Sequence, residues 1–395
     1  MLTKNNILIA CREFGLPSEV WMQRQSKAFQ RLSSEFICWK NNCKDPSFSV
    51  TDLDKDFDSQ ENDRLRWLGR LVRAPSGNLL SATASEAKTI IESCRSHRPE
   101  AILCHYGQVA LRMLPIAERL KIPLIAHFHG NDISSSLNNK YYRWSLRQSL
   151  KKFAACVAVG SRQIEILRSL GAPDAHVHLI PCGAPAQLFT VKQNYNSDKC
   201  RFITVSRLVP WKGVDIVLQA FCELYRENPN IELHIIGIGQ LMEKLRSIRE
   251  SEPAKNAIFI HGAMDEKSIH RMLLESDVFI QHSLDYPTGW FEGFGVSITE
   301  ASLTGLPVIV TPSGGISDQI INGYNGLYVE QSSVLSTKNA MSKLAKSLEL
   351  RKELGNNGRV HAEKKFDSNQ LAHKLEDLIL DKIKSPSVLS VEVSA

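Results

Sequence analysis

Two patterns of apolar and polar positions alternate along the chain. Short runs that are apolar almost throughout, NILIA (6–10), EFICW (35–39), AILCHY (101–106), PLIAHF (123–128), ACVAVG (155–160) and HLIP (178–181), punctuate the first half. Between them, apolar residues recur at helical spacing near 18–33, 85–97, 108–120, 138–152 and 161–170. After residue 200 the scheme starts again. RFITVS (201–206), IELHIIG (231–237), AIFIHG (257–262), DVFIQHS (277–283) and PVIVT (307–311) alternate with helical patterns near 213–227, 240–250, 265–276, 296–304 and 335–347. Strands that are apolar on both faces are buried on both, as in a parallel sheet covered by its crossover helices. Two such sets predict an α/β protein of two doubly wound Rossmann-like domains. Ligands are then expected at the strands' carboxyl ends, in a central cleft that the two parallel sheets face.

The polar stretch AQLFTVKQNYNSDK (186–199) reads as the linker between an N-terminal domain, 1–185, and a C-terminal domain, 200–362. A helix over 363–383 is expected to pack back towards the N-terminal domain, and the tail 384–395 to be disordered.

Composition narrows the class. The chain is 43% hydrophobic and 23% charged, as soluble globular proteins are. It has no run near the roughly 18 apolar residues of a membrane span, and MLTKNNILIACREFG is too polar for a signal peptide. Nine cysteines without a CxxC pair indicate reduced, buried thiols in a cytoplasmic protein and no zinc site built on them. The acidic TDLDKDFDSQEND (51–63) lacks the glycine and terminal glutamate of a calcium loop and reads as a solvated loop.

Charge is uneven. Residues 1–185 carry 25 Lys and Arg against 17 Asp and Glu, a net of +8, whereas the remainder has a net of −2. RLRWLGRLVR (64–73), and Arg143, Arg147 and Lys151 beside Tyr141, Tyr142 and Trp144, place basic and aromatic residues together. Such faces suit an anionic inner leaflet, with the protein peripheral on it, or are simply solvated helix faces. Nucleic acid is not an expected partner.

The second half carries the chemistry. In ITVSRLVPWKGVDIVLQAF (203–221) a strand ends at Ser206, and Arg207 and Lys212 flank a loop before a helix. Two cations beside a helix N-terminus at a strand's carboxyl end make a phosphate or diphosphate site. A dinucleotide alternative, Gly237 and Gly239 in IIGIGQLME, fails at the third glycine, where Met242 stands. WFEGFGVSITEASLTGLPVIVTPSGG (290–315) then sets Glu292 and Glu300 around a Gly-Phe-Gly turn. A hydrolase would use paired carboxylates as acid and base; a sugar-nucleotide enzyme would use them as acceptors for hydroxyls.

Taken together, SRLVPWKGVDIVLQAF, EGFGVSITEASLTGLPVIVTPSGGISDQIINGYNGLYV (292–329) and LRKELGNNGRVHAEKKFDSNQLAHKLEDLI (350–379) resemble the donor half of the family-4 retaining glycosyltransferases of GT-B fold. FGLPSEVWMQRQSKAF (14–29), CHYG (104–107) and IAHFHGNDIS (125–134) resemble the acceptor half of the exopolysaccharide, or colanic-acid, branch. Val20-Trp21 stands where that branch has Thr-Phe. The resemblance implies transfer of a sugar from a nucleoside diphosphate sugar to a glycan or lipid-linked acceptor, with retention and with neither metal nor cofactor. It implies that Arg207 and Lys212 hold the diphosphate and Glu300 the ribose diol. Glu292 is implied to bind the transferred sugar, with Gly293, Phe294, Gly295 and Val296 offering backbone N–H groups. Gly262, Ala263 and Met264 would contact the nucleobase. In the first half, His129 would donate to the sugar's hydroxyls, with His127 its nearest rival, and Glu19, His105, His127 and Asp132 would line the acceptor side. A non-catalytic sugar-nucleotide sensor and a two-carboxylate glycoside hydrolase are the alternatives.

Overall fold

The computed structural model describes residues 4–53, 78, 80–193 and 199–385. Most of 51–63, the basic stretch 64–73, part of the expected linker (194–198) and the tail from 386 lie outside them. Two compact units emerge: Met1–Pro181 with Asn369–Ala395, and Cys182–Ser368.

The first unit holds β1 (Asn5–Phe14), β2 (Leu32–Asn41), β3 (Val50–Asp52), β4 (Ala101–His105), β5 (Leu124–Phe128), β6 (Ala155–Ala158) and β7 (Val177–Leu179). Its helices are α1 (Val20–Ala28), α2 (Ala84–His97), α3 (Gly107–Leu120), α4 (Lys140–Ser149) and α5 (Ser161–Ser169). The sheet runs β3-β2-β1-β4-β5-β6-β7 with every pair parallel. Strand order reverses between β1 and β4, the position where doubly wound sheets open a crevice beyond their carboxyl ends.

The second unit repeats the order. β8 (Cys200–Val205), β9 (Ile231–Ile236), β10 (Ile258–Gly262), β11 (Val278–Gln281), β12 (Val308–Val310) and β13 (Gly326–Tyr328) form a parallel sheet in the order β10-β9-β8-β11-β12-β13, switching between β8 and β11. Its helices are α6 (Val214–Glu227), α7 (Met242–Ser251), α8 (Glu266–Glu275), α9 (Val296–Leu303), α10 (Ile316–Gln319), α11 (Val334–Lys346) and α12 (Leu348–Phe366). The period of two along each strand divides the core. Phe202, Val278, Ile280 and Ile309 pack into one cluster, and Ile203, Phe279, Val308 and Val310 into another. Both faces are therefore buried.

The changeover at 181/182 precedes the polar stretch expected as linker because residues 184–192 are anchored to the second unit. Ala184 N–H donates to the Phe366 carbonyl at 3.0 Å, and Lys192 pairs with buried Asp277 at 3.2 Å. The expected helix over 363–383 is two helices. Asp367 is extended between α12 and α13 (Ser368–Lys384), and its carboxylate accepts from Ala186 N–H at 3.1 Å. Beyond that break, α13 belongs to the first unit. Its buried Glu376 accepts the N–H groups of Gln30, Arg31 and Leu32 at 2.9, 2.7 and 3.0 Å, capping the entry to β2.

Candidate functional site

In the second unit the sequence-identified residues gather at the β8/β11 switch point. β8 ends before Arg207, which is exposed, and a 3-10 turn over Pro210–Lys212 precedes α6. Gly213, at φ +56°, closes that turn. A Cβ there would stand 2.2 Å from the His282 carbonyl oxygen, so glycine lets the turn lie against the chain leaving β11. This contact brings Lys212 onto Glu292. The two form an ion pair, with side chains only 12% and 10% exposed. Gln281 Nε2 and Ser283 Oγ also donate to the same Glu292 oxygen, at 3.0 and 2.9 Å. Lys212 Nζ lies 5.7 Å from the centre of the Trp290 ring.

Burial by itself would raise the Glu292 carboxyl. Lys212, the Ser283 hydroxyl and the more distant Arg207 more than offset it and hold the group below its ordinary range. Glu292 is therefore an ionised, oriented acceptor. Three donors share Oε2, which leaves Oε1 able to take a hydroxyl.

The glycine pair that follows β12 has a mechanical reason. A Cβ on Gly314 would meet the Glu292 carbonyl oxygen at 2.0 Å, and one on Gly315 the Gly293 carbonyl oxygen at 2.2 Å. Gly315 N–H donates to the Glu292 carbonyl at 3.0 Å, and Ser313 Oγ accepts from Glu292 N–H at 3.1 Å. The Glu292 elbow thus rests on the Ser313–Gly315 loop. Phe294 is buried, Gly295 is left-handed at φ +89°, and Val296 opens α9, which carries half-buried Glu300 in its second turn. Gly262, with φ +74°, ends β10, and Ala263 beside it is exposed while Met264 is half-buried.

Gly237 and Gly239 serve packing. Cβ atoms there would stand 1.8 Å from the Ser206 carbonyl oxygen and 2.4 Å from that of Leu208. They let the chain after β9 cross the loop after β8, with no need for a dinucleotide.

In the first unit, the carboxyl ends of β1, β4 and β5 carry the corresponding cluster. His105 and His127 are fully buried, and His129 is half-buried. His105 Nδ1 lies 3.0 Å from His129 Nε2, and the Trp21 ring tilts over His129 with 4.0 Å between centroids. Burial drives His105 and His129 far below the ordinary histidine range and His127 to about 3, so all three are neutral imidazoles. Glu19 accepts from the Tyr106 hydroxyl at 2.7 Å. Tyr106 itself sits at φ +74°, a strained backbone for a non-glycine residue.

Asp132 corrects the expectation placed on it. Its carboxylate is buried and accepts the N–H groups of Gly107 at 2.9 Å, His129 at 3.0 Å and Gly130 at 2.9 Å. It fixes the β5 turn and the start of α3 and is no acceptor ligand. Gln281, Ser283 and Ser313 were not singled out by sequence, and Trp21 stood out only as a departure from the resembled branch's Thr-Phe. The polar residues that close the run DVFIQHS at a strand's carboxyl end were the available signal for two of them.

Two parallel Rossmann-like sheets, each with a side-chain cluster at its switch point, make up a GT-B fold. The chain matches the model "Glycosyltransferase Family 4" over residues 50–188 and "Glycosyl transferases group 1" over 187–361, and it belongs to this glycosyltransferase family. WcaL of Salmonella typhimurium, described as a putative colanic acid biosynthesis glycosyltransferase, is 26% identical over 237 residues. That alignment spans 59% of this chain and 58% of WcaL. Among solved structures, sucrose-phosphate synthase from Thermosynechococcus elongatus superposes with a TM-score of 0.75 at 14% identity, covering 96% of this chain and 100% of that one. Anabaena HepE, solved in complex with UDP and glucose, gives 0.74 at 16% identity over 95% of this chain and 99% of its own. These likenesses establish the fold.

Proposed function

We propose that the chain transfers a sugar, with retention and without metal or cofactor, from a nucleoside diphosphate sugar to a hydroxyl of a glycan or lipid-linked oligosaccharide in exopolysaccharide- or lipopolysaccharide-type biosynthesis. The observation that carries this reading is the Lys212–Glu292 pair beside exposed Arg207 at the second sheet's switch point. An ammonium has three donors. One is taken by Glu292, and the others are free to meet diphosphate oxygens alongside the Arg207 guanidinium. HepE bound to UDP and glucose is the supporting precedent for such a ligand on this fold.

In this reading the sugar C1–O bond breaks, and its electron pair leaves with the diphosphate, whose growing charge Arg207 and Lys212 stabilise. Each such preorganised contact is worth about 3 kcal/mol of barrier. The acceptor hydroxyl attacks from the same face, and its proton passes to the departing phosphate oxygen. Glu292 Oε1 and the backbone N–H groups of residues 293–296 hold the sugar, and Glu300 accepts from the ribose diol. Residues 262–264 would contact the base. His129, a neutral imidazole able to donate from one nitrogen, serves the sugar's hydroxyls and Glu19 lines the acceptor side, whereas the fully buried His105 and His127, expected there too, pack against the His129 ring instead. The exposed Arg143, Trp144, Arg147 and Lys151 on and just after α4 would meet an anionic membrane surface that carries a lipid-linked acceptor. Among the described residues no helix is long and apolar enough to cross a membrane.

A glycoside hydrolase is disfavoured because it would have no use for Arg207 and Lys212 beside the carboxylate. The deciding experiment incubates the protein with a panel of nucleoside diphosphate sugars in EDTA, with and without glycan acceptor. Acceptor-dependent release of free nucleoside diphosphate supports transfer. Acceptor-independent release of free sugar would indicate hydrolysis, and binding without turnover a sensor.

A further inference from the structure

We propose that residues 284–290, the excursion between β11 and the Glu292 elbow, form a carbohydrate platform on which Tyr286 stacks against a pyranose ring of the acceptor glycan. Their sequence, LDYPTGW, dictates a rigid loop. Proline at the second and glycine at the fourth position of Tyr-Pro-Thr-Gly suit a β-turn, and Gly289 N–H closes it on the Tyr286 carbonyl at 2.8 Å. Tyr286 N–H donates to the Trp290 carbonyl at 2.8 Å, and Leu284 N–H to the Trp211 carbonyl at 2.9 Å. Asp285 locks the base of the loop. Its N–H donates to Gln331 Oε1 at 2.7 Å, and its carboxylate accepts from Ser313 Oγ at 2.6 Å. The same Ser313 hydroxyl accepts from Glu292 N–H, so the loop and the elbow share one anchor.

Two of the chain's six tryptophans meet at this loop, which makes it the aromatic focus of the second unit. The Trp211 and Trp290 rings lie 5.7 Å apart, and Tyr286 stands edge-on to Trp211 at 6.2 Å and 70°. Trp290 is buried and Trp211 half-buried, whereas Tyr286 is 37% exposed. The exposed neighbours Asp285 and Thr288 are polar, which suits a ligand rich in hydroxyls better than an apolar protein surface. A pyranose ring has an apolar C–H face with hydroxyls around its rim. A tyrosine fixed through its backbone and open on its ring matches that face, and little ordering entropy is lost on binding. One ring separates the platform from the ion pair, since Lys212 Nζ lies over Trp290 and pairs with Glu292. On the transfer reading, on which the platform's role in the reaction rests, Glu292 holds the transferred sugar and exposed Tyr286 takes the sugar arriving from solvent.

The test titrates full-length protein, without donor, with soluble gluco-, galacto- and manno-oligosaccharides. Intrinsic tryptophan fluorescence is the readout, because Trp211 and Trp290 lie beside the platform. The expected result is a saturable change with at least one oligosaccharide, kept by Tyr286→Phe, which preserves the ring, and weakened about tenfold in Tyr286→Ala. A melting curve for each variant checks that the fold is intact. No saturable binding of any oligosaccharide by the wild type, equal affinity in wild type and Tyr286→Ala, or a loss in Tyr286→Phe as large as in Tyr286→Ala would each overturn the platform. Since the ligand is a free oligosaccharide, failure to release nucleoside diphosphate in the transfer assay would count against the transferase reading and leave this result standing.

Discussion

Lys212, in the turn after β8, and Glu292, in the elbow after β11, are 80 positions apart in sequence and form a nearly buried ion pair. Neither strand alone makes this contact. It exists because the sheet places β8 beside β11 at the switch point and because Gly213 and Gly314 let two loops touch backbone to backbone. The pair converts two residues expected as separate ligands into one unit, with consequences for both stability and turnover.

Replacing Lys212 with alanine should lower kcat by about 10²-fold, the scale of losing one preorganised donor. It should also destabilise the fold, by about 3 kcal/mol, because it strands a buried carboxylate with only Gln281 and Ser283. A lysine in a freely exposed loop would leave stability unchanged. Chemical denaturation beside steady-state turnover separates the two effects, and an unshifted unfolding midpoint would contradict the pairing.

Glu292 gives a pH signature of defined sign. Its folded-state carboxyl is depressed, so its stabilisation is fully present above the unfolded value of about 4.3. It is lost as pH falls through the lower folded value. The stability gap between wild type and Glu292→Gln should therefore be constant near neutrality and shrink below about pH 4. Unfolding free energies across pH 3–7 for both proteins measure it. A gap that widens on acidification would mean that the carboxyl is raised.

His127 should act in the same sense but over a higher pH range. It is neutral in the folded state down to about pH 3, but in the unfolded chain it takes up a proton below about 6.5. Stability is thus lost as pH falls from about 6.5 towards 3, by about 1.4 kcal/mol per pH unit for this group. With EDTA present, His127→Gln should show a shallower acid slope than wild type by roughly that amount. Equal slopes would place the ring in contact with solvent.

Glu376 should matter out of proportion to its distance from any ligand. It accepts three backbone N–H groups at the entry to β2 and a contact from Arg31 at 3.1 Å. Glu376→Ala should destabilise by about 3 kcal/mol, since hydrogen bonds to a buried charge are worth about 1.5–3 kcal/mol each and one carboxylate makes all of them. Guanidinium unfolding is the readout, and a change under about 1 kcal/mol, the scale of a single ordinary hydrogen bond, would show that α13 docks by its apolar face alone.

Most of the fold was legible because buried parallel strands announce themselves as apolar runs. NILIA extends to Asn5–Phe14, and PVIVT contracts to Val308–Val310. Strands Val50–Asp52 and Gly326–Tyr328 escaped notice because three residues are too few to show a period. Helix α12 was hidden by its composition, with Gly355, Gly358 and two asparagines in its middle. At the site, local motifs located Arg207, Lys212, Glu292 and His129. What pairs with what was not legible, since Lys212 with Glu292, His105 with His129 and Trp21 over His129 are products of strand order. Asp132 shows the reverse error. An acidic residue in a histidine-rich motif read as a ligand, whereas backbone N–H groups occupy it.

In the proposed reaction the second unit grips a diphosphate through side-chain cations without a metal. Isothermal titration of wild type and Arg207→Ala with the nucleoside diphosphate of the productive donor, both in EDTA, tests it most directly. Arg207 is exposed, so its removal should leave the melting curve unchanged. The prediction is saturable binding by wild type in EDTA and at least a tenfold weaker dissociation constant for Arg207→Ala, of the order expected for one charge-assisted contact. Equal affinity in the two proteins, or binding by wild type that vanishes in EDTA, would contradict it.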